Sequence, residues 1–147
     1  MAYLLDTNVV SELRKESFGR CHPMVSSWAG AVDFSITYLS VITVMELELG
    51  VRRLEHGQKE HSAALRSWLD RLLTTFEERV IGVDTKVAQR CAKLHVPDPV
   101  PERDALIAAL ALVHNFTIVT RNVSDFSRTG VTSIDPWEST ERHPNLA

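Results

Sequence analysis

Tyr3-Leu4-Leu5-Asp6-Thr7-Asn8-Val9-Val10-Ser11-Glu12-Leu13 is the stretch on which the reading of the fold turns. Its opening residues, Tyr3 to Leu5, make a short apolar run that reads as a buried strand, and the run stops on an acid. From Thr7 to Lys15 the apolar positions Val9, Val10 and Leu13 fall at helical spacing. A buried strand that ends on an acid and passes straight into a helix is the opening unit of a parallel α/β sheet.

The rest of the chain repeats that alternation. Helical spacing covers Met24 to Val32, and Phe34 to Leu39 alternates like a second strand. Thr43 to Glu55 is a helix with the stripe Val44, Leu47, Val51 and Leu54, and His61 to Arg79 is a long helix. Val80 to Val83 is a third strand, and Asp84 caps a helix from Thr85 to His95. After a proline-rich loop, Val96 to Pro101, comes the most apolar helix, Asp104 to His114. Phe116 to Val119 and Val131 to Ile134 complete about five strands. The fold class expected is three-layer α/β/α, a mostly parallel central sheet with helices on both faces. Ligands of such sheets bind at the carboxyl ends of the strands, so residues that directly follow a strand carry the functional question.

Composition narrows the field. The chain has 147 residues, 44% hydrophobic and 24% charged, enough for one domain with one sizeable core. Its opening lacks a basic start followed by an apolar run, and its longest apolar stretch, Ala105 to Val113, is too short for a bilayer span. A cytoplasmic protein is expected. The formal net charge of −3 argues against tight non-specific nucleic-acid binding. It leaves room for a nuclease whose bound metal meets the phosphate. Cys21 and Cys91 have no paired spacing; Cys91 and His95 share a helix face but make only half a zinc site.

Four acids stand where chemistry is expected. Asp6 follows the first strand, Glu46 lies near the start of the helix after the second, Asp104 opens the most apolar helix, and Asp125 follows the fourth strand. Phosphodiester hydrolysis must stabilise negative charge on the attacking and leaving oxygens, which divalent ions held by carboxylates can do. Convergent acids without a base would be costly unless a metal joined them. Each acid also has a purely structural reading. Asp6 and Asp125 suit caps or turns, and Asp104 suits a first helical turn. Thr43-Val44-Met45-Glu46 has the form of a capping box, whose glutamate turns back to the chain. Spacing alone leaves both readings open.

The motifs themselves resemble those of the PIN-domain proteins, of the VapC/FitB-like toxin ribonuclease group. The likeness lies in Leu4-Leu5-Asp6-Thr7-Asn8, in Ser40-Val41-Ile42-Thr43-Val44-Met45-Glu46-Leu47 with Gly50, in Asp104-Ala105-Leu106-Ile107-Ala108-Ala109, and in Thr120-Arg121-Asn122-Val123-Ser124-Asp125-Phe126. Pro136-Trp137 matches a common ending, though Asp135 stands where an asparagine is usual. The motifs run in family order from Leu4 to Trp137. The resemblance implies a nuclease domain over residues 1–138 with a polar tail at 139–147. It implies Asp6, Glu46, Asp104 and Asp125 as acids that hold magnesium, or manganese, with Thr7, Asn8, Thr120 and Asn122 as polar support. It implies a metal-dependent endoribonuclease acting as the toxin of a toxin–antitoxin pair, with RNA as substrate, a cognate antitoxin as partner, and a homodimer as its assembly.

Three alternatives bound that expectation. An aspartyl phosphatase with Asp6 as nucleophile would want an acid where Asn8 stands. A PIN-like module that binds RNA or antitoxin without cutting would be expected to have lost some of the acids. Asp98 and Glu102 offer other carboxylates near Asp104 but match no motif, and Glu48 points to a different flank from Glu46. The basic pairs Arg14-Lys15 and Arg52-Arg53 suit either phosphate contacts or a solvated face.

Overall fold

The computed structural model describes residues 1–138; the expected polar tail, 139–147, lies outside them. In chain order the elements are β1 (Tyr3–Leu5), α1 (Thr7–Arg14), α2 (Pro23–Ala31), β2 (Thr37–Ser40), α3 (Val41–His56), α4 (Ser62–Thr75), β3 (Val80–Ile81), α5 (Thr85–Leu94), α6 (Glu102–His114), β4 (Thr117–Val119) and β5 (Ser133–Ile134). The strands form one sheet in the order β3-β2-β1-β4-β5. Every pairing is parallel, with Tyr3 opposite Thr37 on one side and Thr117 on the other.

The strands are short, but their alternation feeds two cores. Leu4 and Ile118 turn to one face, where they meet Val87 and Cys91 of α5, the buried Ala105, Ile107, Ala108, Ala109, Leu110 and Ala111 of α6, and Phe126. Leu5, Leu39 and Val119 turn to the other, against Val9 and Val10 of α1, Trp28 of α2, Leu47 and Val51 of α3 and Leu69 of α4. Successive strand residues point to opposite faces, so neighbours such as Leu4 and Leu5 serve different cores. The architecture is the expected three-layer α/β/α.

Several boundaries differ from the sequence reading, and two of them have a visible cause. Phe34–Ile36 is a 3-10 turn rather than the start of β2, because the Asp33 carboxylate accepts the Ser35 N–H at 3.0 Å and winds the chain. The long helix stops at Thr75 instead of reaching Arg79. There the Arg79 guanidinium, stacked 4.6 Å from the Phe34 and Phe76 ring centres, donates to the carbonyls of Phe34, Thr37 and Thr75.

The strand order sets the site. The chain moves outward from β1 to β2 and β3, then crosses back so that β4 lies on the other side of β1. The crevice between the carboxyl ends of β1 and β4 is therefore a topological switch point, where open α/β sheets bind ligands. Among the described residues no helix is long and apolar enough to cross a membrane.

Candidate metal centre

Asp6 sits at that switch point. Its backbone N–H donates to the Val119 carbonyl at 2.9 Å, which fixes it to the end of β4, and its own carbonyl accepts the Val9 and Val10 N–H groups of α1. Asp6 is the N-cap of α1, as the structural reading had it, but an unusual one. Its Oδ1 accepts the adjacent Thr7 N–H at 2.9 Å, which leaves Oδ2 for other partners.

Thr120, fully buried at the end of β4, donates its hydroxyl to Asp6 Oδ2 at 2.8 Å. The Thr120 Oγ1 in turn accepts the Asn122 N–H at 3.0 Å and the Asn8 Nδ2 at 3.3 Å. One donated and two accepted bonds use the whole capacity of a hydroxyl, so Thr120 has no freedom to rotate away. Asn8 Nδ2 also reaches Asp6 Oδ2, at 3.4 Å, while its Oδ1 accepts the Arg121 N–H at 3.1 Å. Of the four polar positions, Thr7, Asn8 and Thr120 act through side chains. Asn122 acts through its backbone, whose carbonyl also accepts the Asp125 N–H at 3.0 Å.

Glu46 is not part of a capping box. The N-cap of α3 is Ser40, whose hydroxyl accepts the Thr43 N–H at 3.0 Å, so the helix begins earlier than its stripe suggested and Glu46 lies in its second turn. There the carboxylate points across the crevice. Oε1 accepts the Thr7 hydroxyl at 2.7 Å, and Oε2 lies 3.4 Å from Arg103 Nη1. Thr43, one turn earlier on the same face, lies 3.1 Å from the Thr7 hydroxyl.

Asp104 occupies the first turn of α6, and Asp125 the 3-10 turn Val123–Thr129, pinned by the buried Phe126 beside it. Their charges reach each other and the other two acids. Burial pushes the Asp6 carboxyl above the ordinary carboxylate range; the bonds from Thr120 and Thr7 oppose that rise, and the charges of Glu46 and Asp125 add to it. For Asp104 every influence is in one direction: burial first, then the charges of Asp125, Asp6 and Glu46, all raise it. The first-turn helix dipole would stabilise an ionised Asp104, yet burial, with the neighbouring acids added to it, prevails.

The rival acids lie elsewhere. Asp98 is exposed, with its carbonyl accepting from Arg128, and Glu102 lies against His95. Glu48 is forked by Arg66 on another flank of α3. Among the described residues, one trio of donors has its atoms all within 4.8 Å of one another, and it is Cys91, His95 and Glu102. That trio does not suit a metal. His95 Nδ1 accepts the Val100 N–H at 3.1 Å, so in the neutral ring the proton sits on Nε2, the nitrogen that faces Cys91 and Glu102. Burial also pushes the Cys91 thiol up, away from the thiolate a metal needs. His95 instead fastens the loop that leads into α6.

The acids of the crevice do suit a hard divalent cation. They offer only oxygen donors, from four separate chain segments, with Asp6 and Glu46 oriented by hydroxyls. Such a cation keeps several waters and needs only one or two direct carboxylates, so a tight trio is not required. Sequence reasoning missed Arg103, whose sole signal was its place beside Asp104, and missed Ser40 as the cap that brings Glu46 into the crevice.

Known proteins share this chain's sequence and shape over nearly its full length. A PIN-domain family model matches residues 3–131. Toxin FitB of Neisseria gonorrhoeae is 36% identical over 142 residues, covering 91% of this chain and 97% of its own. VapC ribonuclease Y4jK of Sinorhizobium fredii is 33% identical over 141 residues, covering 92% and 97%. The solved structure of FitAB bound to an IR36 DNA fragment matches with a TM-score of 0.83 at 29% identity, over 93% of this chain and 96% of that one. The chain belongs to the PIN-domain family, among relatives that carry the names FitB and VapC.

Proposed function

We propose that this protein is a metal-dependent endoribonuclease that acts as the toxin of a toxin–antitoxin pair. The observation that supports the reading is the switch-point crevice itself: the charges of Glu46 and Asp125 reach Asp6 there, and burial followed by the charges of Asp125, Asp6 and Glu46 raises Asp104. Folding has to gather like charge to build such a place, which a purely structural site would have no reason to do. Relatives named as a toxin and as a ribonuclease support the same reading.

Asp6, Glu46, Asp104 and Asp125 would hold the cation. Magnesium or manganese bound there would supply positive charge to meet the phosphate and Lewis acidity to activate a water. The chain's own groups do the positioning. Thr120 locks the Asp6 carboxylate in one rotamer, Thr7 fixes one oxygen of Glu46, and the Asp6 N–H to Val119 carbonyl bond ties the whole group to the sheet. Asp125 enters from a short turn at the rim, where an RNA strand can approach without meeting the buried layers.

The partners follow from the same reading: RNA as substrate, a small antitoxin that covers the crevice, and a second copy in a homodimer. An antitoxin arginine would find a ready target in the unpaired carboxylates. The test is direct. Purified protein should cut RNA with magnesium or manganese and stop in excess chelator. Expression of the chain alone should arrest growth, and co-expression with its antitoxin should restore it. Cutting that persists unchanged in chelator would sink the metal mechanism.

A further inference from the structure

Arg103 stands in the first turn of α6, one residue before Asp104, and lies 3.4 Å from Glu46 Oε2. Among the described residues this is the one ion pair made by an acid of the crevice. It is loose by design of its surroundings. The Arg103 side chain is 51% exposed and Glu46 26%, and a single long contact joins them. The other Glu46 oxygen is held firmly, 2.7 Å from the Thr7 hydroxyl. Glu46 is thus presented with one oxygen anchored and one covered by a cation that a small movement of a long, flexible side chain would remove.

A carboxylate oxygen cannot give its full charge to a guanidinium and to a divalent ion at once, and the two cations repel each other. We propose that Arg103 is the built-in counter-ion of Glu46. It is a positioning residue that competes with the divalent cation for Oε2 and, once displaced, offers its guanidinium to a phosphate of the RNA at the crevice mouth. Substrate and cation then favour each other, because each takes one partner of the pair. Arginine suits both halves, since its fork can donate paired hydrogen bonds to a carboxylate or to a phosphate. The proposal rests on the reading of the acids as a metal site.

Manganese alone is the probe. Wild type, Arg103→Ala, Arg103→Lys and Arg121→Ala would be titrated with it, free ion being read by electron paramagnetic resonance, and RNA cleavage would be followed beside it. Arg121 is the control for general charge: it also borders the crevice, but its guanidinium stacks 5.2 Å from the Trp137 ring centre instead of touching an acid. Arg103→Ala should bind manganese about two- to fivefold more tightly, the range an exposed pair of this kind supports. Its KM for RNA should rise while kcat stays near wild type, with Arg103→Lys between the two. Arg121→Ala should change manganese affinity less than Arg103→Ala does. Unchanged affinity in Arg103→Ala, equal tightening in Arg121→Ala, or an unchanged KM would overturn the proposal. Failure of the wild type itself to bind manganese would overturn the metal reading as well, so the two failures are told apart by the first titration.

Discussion

Glu48, Glu55 and Asp70 gather around Arg66 between α3 and α4; Asp6, Glu46, Asp104 and Asp125 gather at the ends of β1 and β4. The first group is paired from within. Arg66 forks Glu48 at 2.9 and 3.0 Å and reaches Glu55 at 3.0 Å and Asp70 at 3.7 Å. Hydrogen bonds from Arg66 hold the Glu48 and Glu55 carboxyls below their ordinary range. In the second group Asp6 and Asp104 are held above theirs, with one loose arginine at the rim. Two acid clusters on one helix-and-sheet frame have thus been given opposite electrostatics. Glu46 and Glu48, two residues apart on α3, belong one to each. Local acid content does not separate the two clusters; what separates them is how tightly an internal base holds the carboxylates, forked at 2.9 and 3.0 Å in one and touched once at 3.4 Å in the other.

Substitutions at matched positions should separate the clusters most sharply. Asp104→Asn should lower cleavage by at least about a hundredfold, since even residues that only orient a metal's ligands are worth roughly ten- to a hundredfold. Glu48→Gln should leave cleavage within about twofold and cost up to about 1 kcal/mol of stability, as a partly exposed ion pair does. Cleavage rates beside urea melts measure both. Equal losses of activity in the two variants would erase the distinction.

Thr120→Val makes a smaller and more pointed change. The substitution is nearly isosteric, yet it strips Asp6 Oδ2 of its shortest bond and leaves the Asn122 N–H without its acceptor. Activity should fall roughly ten- to a hundredfold. Stability should fall by about 1–2 kcal/mol, the cost of buried polar groups left unpaired. Wild-type cleavage in Thr120→Val would mean that Asp6 needs no such lock.

Much of this was legible in the sequence, and the reasons differ by residue. The strand–helix alternation was plain because buried parallel strands are short apolar runs, and Leu4-Leu5 announces one at once. Asp6 and Asp104 were legible as acids at the ends of apolar segments. Glu46 was ambiguous because Thr43-Val44-Met45-Glu46 imitates a cap; only the true cap at Ser40 shifts the helix start and frees the carboxylate. The early end of α4 was hidden because it depends on Arg79, whose carbonyl partners at Phe34 and Thr37 are distant in sequence. Arg103 was hidden for the same reason, since its partner on α3 lies 57 positions away. Contacts between distant segments leave no local periodicity to read.

The electrostatic contrast also fixes how stability should depend on pH. Asp104 is raised above its ordinary value of 3.8, so the folded state holds its proton more tightly than the unfolded chain does. Its favourable contribution is complete below pH 3.8 and is lost as pH rises through the folded value. At neutral pH, therefore, the ionised carboxylate works against the metal-free fold. Glu48 has the opposite sign: it is lowered from 4.5, so its contribution is present above pH 4.5 and is lost as pH falls through the folded value.

Thermal melts of wild type and Asp104→Asn, at pH 7.5 and near pH 3.5, with and without magnesium at the higher pH, test the central claim most directly. The account predicts that without metal Asp104→Asn melts at or above wild type at pH 7.5, and that this advantage shrinks at pH 3.5. It predicts that magnesium raises the wild-type melting temperature and raises that of Asp104→Asn far less, because a ligand of the folded state alone adds stability in proportion to its binding. An Asp104→Asn variant that melts below wild type without metal, yet gains as much from magnesium, would show that Asp104 is a structural acid and that the crevice is not the metal site.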